Sequence, residues 1–406
     1  MNLMKNEWFL LFLLIPFFRP GVFLHLQFGI AGVSINDLFL YWRLLSIAIV
    51  FLLFFLYAKI DKFIVAIAVY LFIMLFSTIF NGGDLAAALR SALTVAGVCM
   101  LVSLAVSANP LTLLKVISRY LGVLVIINLA LFFILGGGIV RSSGQNILFY
   151  FLGNRNGKTT ILVLTLLVNS IYSYMTKKRL STWALIIFAC IIITLLNIWS
   201  ATGVVACFML ITFIFFIFKG FHKTLFNFKL LFSINIGLFF FIVIFRMQDY
   251  LSFIIEYALG RSLTFTDRTF LWDYSIDLIM RAPFVGQGFD EHNMIWFMGE
   301  WLSPHNAFLN ILILGGIFAL LAYLVVIIFS GYTLTKYSGH PISSILSVGL
   351  FVYLVASLTE VYLHDINMFV TIALAFNADR IIKHEMTEDV VQPVESKYIR
   401  TRVRLS

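Results

Sequence analysis

The chain has 406 residues, 62% of them apolar and 12% charged, with a formal net charge of +9. Soluble domains are about half apolar and about a quarter charged, so the composition excludes a soluble globular enzyme and indicates a polytopic membrane protein. In a chain this apolar the positive balance does not point to nucleic acid; it predicts basic segments on the cytoplasmic side of a bilayer and a basic tail.

The N-terminal stretch MNLMKNEWFLLFLLIPFFRPG has one lysine and a short apolar run, as a signal peptide has, but no small-x-small cleavage pattern follows. It reads as a retained first helix. Apolar runs closed by charges or by Gly, Pro and Asn breaks predict an all-α protein of about twelve transmembrane helices. These lie near 8–25, 37–58, 63–80, 88–108, 120–138, 158–176, 181–199, 203–218, 230–245, 305–329, 342–358 and 366–382. With the N-terminus inside, Lys5, Lys59, Lys62, Lys115, Arg119, Lys177, Lys178, Arg179, Lys219, Lys223, Lys229, Lys336 and the tail gather on one side, which predicts an N-in/C-in orientation. Residues 1–382 then form a single transmembrane helical domain and 383–406 a basic cytoplasmic tail. Cys99, Cys190 and Cys207 all lie in apolar runs without paired spacing and read as small core residues.

The opposite, outer face receives Arg19, Arg90, Arg141, Arg155, Lys158, Arg246, Arg261, Arg268 and Arg281, while Arg43 falls within the second span. Eight of those nine cations are arginine, whereas lysine dominates inside. A guanidinium stays charged and offers a planar fork that matches phosphate oxygens two at a time, so the set predicts an anion-binding outer face. Residues 246–304 form the one long hydrophilic insertion, an external loop that a compact protein keeps for function. Within it TDRTFLWDYSIDLIMR predicts an amphipathic helix capped by Thr266 or Asp267 and ended by Pro283, Gly286 and Gly288. Asp273, Asp277 and Arg281 share one face of it, and Trp272, Ile276 and Ile279 another. Arg268 stands one turn before Trp272, where the ring can brace the guanidinium.

Arg268-x-x-x-Trp272, then PFVGQG at 283–288, then PHNAFLN at 304–310 with the Gly315–Gly316 pair beyond it, resembles the O-antigen ligase/polymerase superfamily. GNRNGK at 153–158 and WSATG at 199–203 add support, although Ala201 stands where ligase-like members often carry arginine. The resemblance implies a multi-span bacterial enzyme of the cytoplasmic membrane with its site on the periplasmic or extracellular side. It implies transfer of glycans between undecaprenyl-diphosphate carriers or onto lipid A core. It further implies that Arg268 contacts a diphosphate and that His305 works at the acceptor. Arg141, Arg155, Arg90, Arg261 and Arg281, with Trp272 and Asn306, complete the expected diphosphate and glycan contacts. Arg141 ranks above Arg155, which can be an end-of-helix charge.

The chemistry asks little beyond these residues. A diphosphate is a good leaving group once its developing charge is stabilised, and an imidazole titrates in the range needed to take a proton from an acceptor hydroxyl. Asn306 can cap a helix or bond to sugar, and the glycine pair suits close helix packing. Glu360, His364 and Asp365 gather in the last outer turn and offer an alternative base, although a solvated turn is the expected reading there. No Asp-x-Asp pair on the outer face, His-x-x-x-His spacing or Walker loop is present, so neither metal nor cofactor is required by the sequence. Three functions compete: a repeat-unit polymerase, a ligase to lipid A core, and a transporter of lipid-linked oligosaccharide. The absence of an internal repeat and the outer arginines favour chemistry over transport, and Ala201 favours the polymerase. The expected partners are the lipid-linked oligosaccharide, the bilayer, a chain-length regulator and a flippase.

Overall fold

The computed structural model describes residues 2–26, 29–30, 33–141, 147–221, 225–247, 250, 268–290, 295–297 and 300–387. Every apolar run becomes a helix there: α1 (Glu7–Leu14), α2 (Ile35–Tyr57), α3 (Lys62–Phe80), α4 (Leu85–Ala108), α5 (Pro110–Leu135), α6 (Thr159–Lys177), α7 (Thr182–Asn197), α8 (Ala201–Phe216), α9 (Phe228–Phe239), α11 (Ala307–Lys336), α12 (Pro341–Ala356) and α13 (Ile366–Phe376). The amphipathic helix of the large loop is α10 (Arg268–Arg281). Among the described residues seven helices are long and apolar enough to cross a membrane, and five further apolar helices are shorter. Three short antiparallel hairpins lie in connections, at 29–34, 140–149 and 295–302. Helix starts are set by small polar residues. Asn6, Ser34, Asp61, Asp84, Asn109, Ser181, Ser200, Asn227, Asn306 and Asp365 each accept a first-turn N–H that lipid could not satisfy.

Helices α6, α12 and α13 are buried nearly all round and form the centre, with α11 packed along α3 and α13. The polar residues of α6 are satisfied internally: Thr165, Asn169 and Ser170 bond to carbonyls one turn back, and Ser118 of α5 donates to Asn169 Oδ1 at 2.7 Å. The bundle has chemically distinct ends. Lysines meet carboxylates at one: Lys115 pairs with Glu7, Lys178 with Glu385, and Lys336 and Lys383 with Asp379. Helix continues over 378–387, past the boundary expected for the tail. The opposite end carries Arg268, His305 and the α12–α13 turn.

Helix α11 is not continuous. Gly316 has φ +65° and ψ −167°, which breaks the helix in the middle of an apolar span. The break frees four backbone groups, each costing several kcal/mol if left unbonded in hydrocarbon. The turn 283–288 supplies all four partners. Ile317 N donates to Pro283 O (2.8 Å) and Phe318 N to Phe284 O (3.4 Å), while Gln287 N donates to Ile313 O (2.7 Å) and Gly288 N to Leu314 O (2.8 Å). Ser77 and Asn81 of α3 add bonds to Leu314 O and Gly286 O. The PFVGQG turn and the Gly315–Gly316 pair are thus one stitched unit. Gly286 has φ +75°, and a Cβ there would lie 2.5 Å from the amide nitrogens of Gly315 and Gly316. Gly316→Ala and Gly286→Ala should therefore sharply cut the yield of monodisperse protein and its melting temperature in detergent. Gly136→Ala, at φ +66° with nothing within 4 Å, should cost only about 1–2 kcal/mol. Equal behaviour of the three variants would show that the stitch is dispensable.

Candidate functional site

At the arginine-bearing end, Arg268 opens α10, and Trp272 one turn later fixes where it sits. The indole is fully buried and donates to Pro304 O at 3.1 Å, tying α10 to the entry of α11. Arg246 pairs with Asp273 from the end of the ninth apolar run, which pins the same helix from the other side. At the α11 entry, Asn306 Oδ1 accepts from Phe308 N and Leu309 N at 3.0 Å each, and its Nδ2 donates to Leu358 O at 3.0 Å. Ala307 N donates to Ser357 O (2.9 Å), so the start of α11 and the exit of α12 are locked together. This lock holds His305 at φ +47°, a left-handed backbone rarely adopted outside glycine and concentrated at functional sites.

The hub is Glu360, on the α12–α13 turn. Arg268 Nη2 bonds its Oε1 at 2.9 Å and Arg268 Nη1 donates to the neighbouring Thr359 carbonyl. His305 Nδ1 stands 3.7 Å from the other carboxylate oxygen, and Asn156 Nδ2 donates to Oε1 at 2.8 Å. Ser200, the cap of α8, donates to Asn156 Oδ1 at 2.9 Å and closes the ring of contacts. Burial pushes the Glu360 carboxyl up, but His305 and the Arg268 guanidinium outweigh it and hold the group below the usual carboxylate range. At neutral pH it is an anion between a permanent cation and an imidazole. Four turns distant in sequence, at 153–158, 199–203, 303–306 and 357–365, thus converge on the start of α10.

The expected site residues divide. Arg268 and His305 come together. Arg155 is exposed beside Asn156, so the 153–158 loop reaches the site, whereas Arg141 stands exposed on the 140–149 hairpin that leads to it. Arg281 is exposed at the far end of α10, about 20 Å of helix from Arg268. Arg90 lies on α4, in a different cleft. Arg261 and the caps Thr266 and Asp267 lie outside the described residues. Trp272 and Asn306 are fully buried and fully engaged in holding helices, so neither presents a face to substrate here. In the turn expected to be solvated, Glu360 and His364 are buried instead and Asp365 is half-buried. His364 bonds Ser91 Oγ (2.6 Å) and Tyr70 OH (3.0 Å), and burial pushes it down to about 4, so it is neutral at pH 7.

Two features escape a sequence reading. Glu360 is the centre of the arrangement rather than a spare base. Lys158 is wholly buried, its ammonium donating to Arg155 O (3.0 Å) and Ile198 O (3.2 Å) and lying 5.6 Å from the centre of the Tyr150 ring. It bolts the 153–158 loop to the α7–α8 junction and so positions Asn156. Among the described residues no three His, Cys, Asp or Glu side chains converge as metal ligands would.

No curated protein and no solved structure matches the chain. Residues 161–324 match the family model described as O-antigen ligase. The matched stretch runs from the first turns of α6 past the break in α11, and it includes Arg268, Trp272, the docking turn, His305 and Gly316. Arg268, Trp272, the 283–288 turn and His305 fall inside the matched domain, Glu360 and Asn156 outside it, and the match supports the O-antigen ligase/polymerase superfamily, whose members are membrane glycosyltransferase-type enzymes.

Proposed function

We propose that the chain is a repeat-unit polymerase, which transfers a glycan from undecaprenyl diphosphate to a hydroxyl of the next lipid-linked unit on the outer face of the cytoplasmic membrane. The observation that carries this is the half-buried Arg268–Glu360–His305 constellation, a fixed cation beside a carboxylate-backed imidazole. The acceptor oxygen bonds to the anomeric carbon as the bond from that carbon to the diphosphate oxygen breaks. Charge develops on the leaving diphosphate, where Arg268 neutralises it in surroundings that strengthen fixed charges. Two sets of guanidinium donors are engaged by Glu360 and Thr359, and the remaining N–H groups of the five are available to phosphate oxygens. The hydroxyl proton passes to His305, and Glu360 stabilises the imidazolium that results. A chain-length regulator and a flippase would work beside such an enzyme.

A ligase that passes glycan to lipid A core would use the same groups with a different acceptor. The O-antigen ligase description of the matched family favours it. Ala201 favours the polymerase, because it stands at the start of α8, next to the Ser200–Asn156 bond, where ligase-like members often carry arginine. Transport of lipid-linked oligosaccharide is the weaker alternative. A transporter opens its broken helices to solute, whereas the break in α11 is filled by the backbone of the 283–288 turn.

Arg268→Lys should lower turnover at least about 100-fold with normal expression, because a point charge loses the two-pronged contact; His305→Ala should lose about as much and remain folded. Near-normal product lengths from either variant would remove that residue from the chemistry. Glu360→Gln should slow turnover about 10- to 100-fold, since the imidazolium loses its counter-charge; unchanged turnover reduces Glu360 to packing. Purified protein supplied with one synthetic lipid-linked repeat unit should yield a ladder of products. Single transfer confined to core lipid would make it a ligase, and movement without new bonds a transporter.

A further inference from the structure

A second cationic cleft opens at the same end of the bundle. It has room for about 330 Å³ and is lined by Arg19, Arg43 and Arg90 with Asn36, Ser91 and His364. The arginines come from three places: the turn after the first apolar run, α2, and α4. No carboxylate lines the cleft, and among the described residues none of the three guanidiniums forms an ion pair. Arg43 Nε donates to Pro16 O at 3.0 Å and Arg19 bonds Asn36 Oδ1, so two of the three are aimed by neutral acceptors rather than neutralised. Arg19 Nε is buried with no hydrogen-bond partner among the described residues. His364 adds no charge to balance or oppose them, since both its ring nitrogens are engaged and it is neutral at pH 7. Gathering like charges in a half-buried cleft is unfavourable until an anion enters, and a planar fork selects phosphate.

What carries the anion follows from where the cleft lies. The cleft neighbours the Arg268 site. Glu360 faces Arg268 and His305, while His364, four residues on in the same turn, lines the cleft. Four residues span at most about 14 Å.

We infer that this cleft holds the phosphate or diphosphate headgroup of the acceptor glycolipid while Arg268 holds the diphosphate of the donor. The inference rests on the transferase reading and adds to it the seat of the second substrate. An acceptor anchored there lays its sugar across the α12–α13 turn toward the anomeric carbon at Arg268. A polymerase, whose two substrates both carry a lipid diphosphate, needs two such seats.

Calorimetric titration of the purified protein in detergent with farnesyl diphosphate tests this. The wild type should bind two equivalents. The Arg43→Gln/Arg90→Gln double variant should lose one and Arg268→Gln the other. Arg90→Glu is the variant safe from misfolding, because Arg90 is exposed and its side chain bonds to nothing among the described residues; it should weaken one site at least tenfold with an unchanged melting temperature. One equivalent in the wild type, or two in both cleft variants, overturns the assignment. Loss of a site in the cleft variants but not in Arg268→Gln leaves the cleft standing and removes Arg268 as the donor seat. Inorganic diphosphate and phosphatidylglycerol micelles serve as competitors. Displacement from the cleft at tenfold or higher excess supports a carrier-linked ligand, whereas either competing on equal terms makes the cleft a free-anion or bulk-lipid site and overturns the acceptor role.

Discussion

Glu360 is a charge kept from water, and the site is organised by what that requires. An uncompensated buried carboxylate costs several kcal/mol, and attraction to a partner offsets this only when geometry is good and the remaining lone pairs are bonded. Here one guanidinium, one side-chain amide and one imidazole meet the two oxygens, drawn from α10, the 153–158 loop and the entry of α11. Each of those groups is held in turn by contacts that have nothing to do with substrate: Trp272 to Pro304, Ser200 to Asn156, Asn306 to Leu358. The groups of the proposed site are therefore placed before any ligand arrives, which is how fixed charge becomes catalytically useful.

What the sequence discloses of this follows from range. Helices, caps and the amphipathic α10 depend on spacings of a few residues, and each is legible in apolar periodicity and in Asn, Ser and Asp at the breaks. Arg268 and His305 are legible because they sit in short motifs. Glu360 is not, since its bonds reach 92 residues back to Arg268 and 204 back to Asn156, and no local pattern encodes such distances. Lys158 misleads for another reason: the carbonyls of Arg155 and Ile198 that receive it belong to the backbone and leave no mark in side-chain identity. The break in α11 is hidden because the run on either side of Gly316 is uniformly apolar, and hydropathy is blind to φ.

The two ends of the bundle use cations differently. Lys178 meets the buried Glu385, whereas Lys336, Lys383 and Lys115 meet carboxylates at partly exposed positions, where an ion pair is weak. Such pairs tidy a surface. Arg19, Arg43 and Arg90 line a cleft without a carboxylate partner among the described residues, so their field is not neutralised there. Arg268 is intermediate, engaged by Glu360 but with donors to share.

The stitched break in α11 also bears on how the protein is assembled. The 283–288 turn is synthesised before α11, and α3, whose Ser77, Thr78 and Asn81 receive the turn and its flank, long before either. A cradle of α3 and turn can thus be ready when α11 emerges, and α11 is completed only by docking into it. The helix that delivers His305 is the closing piece of its own scaffold, so maturation of the chain and readiness of the imidazole become a single event.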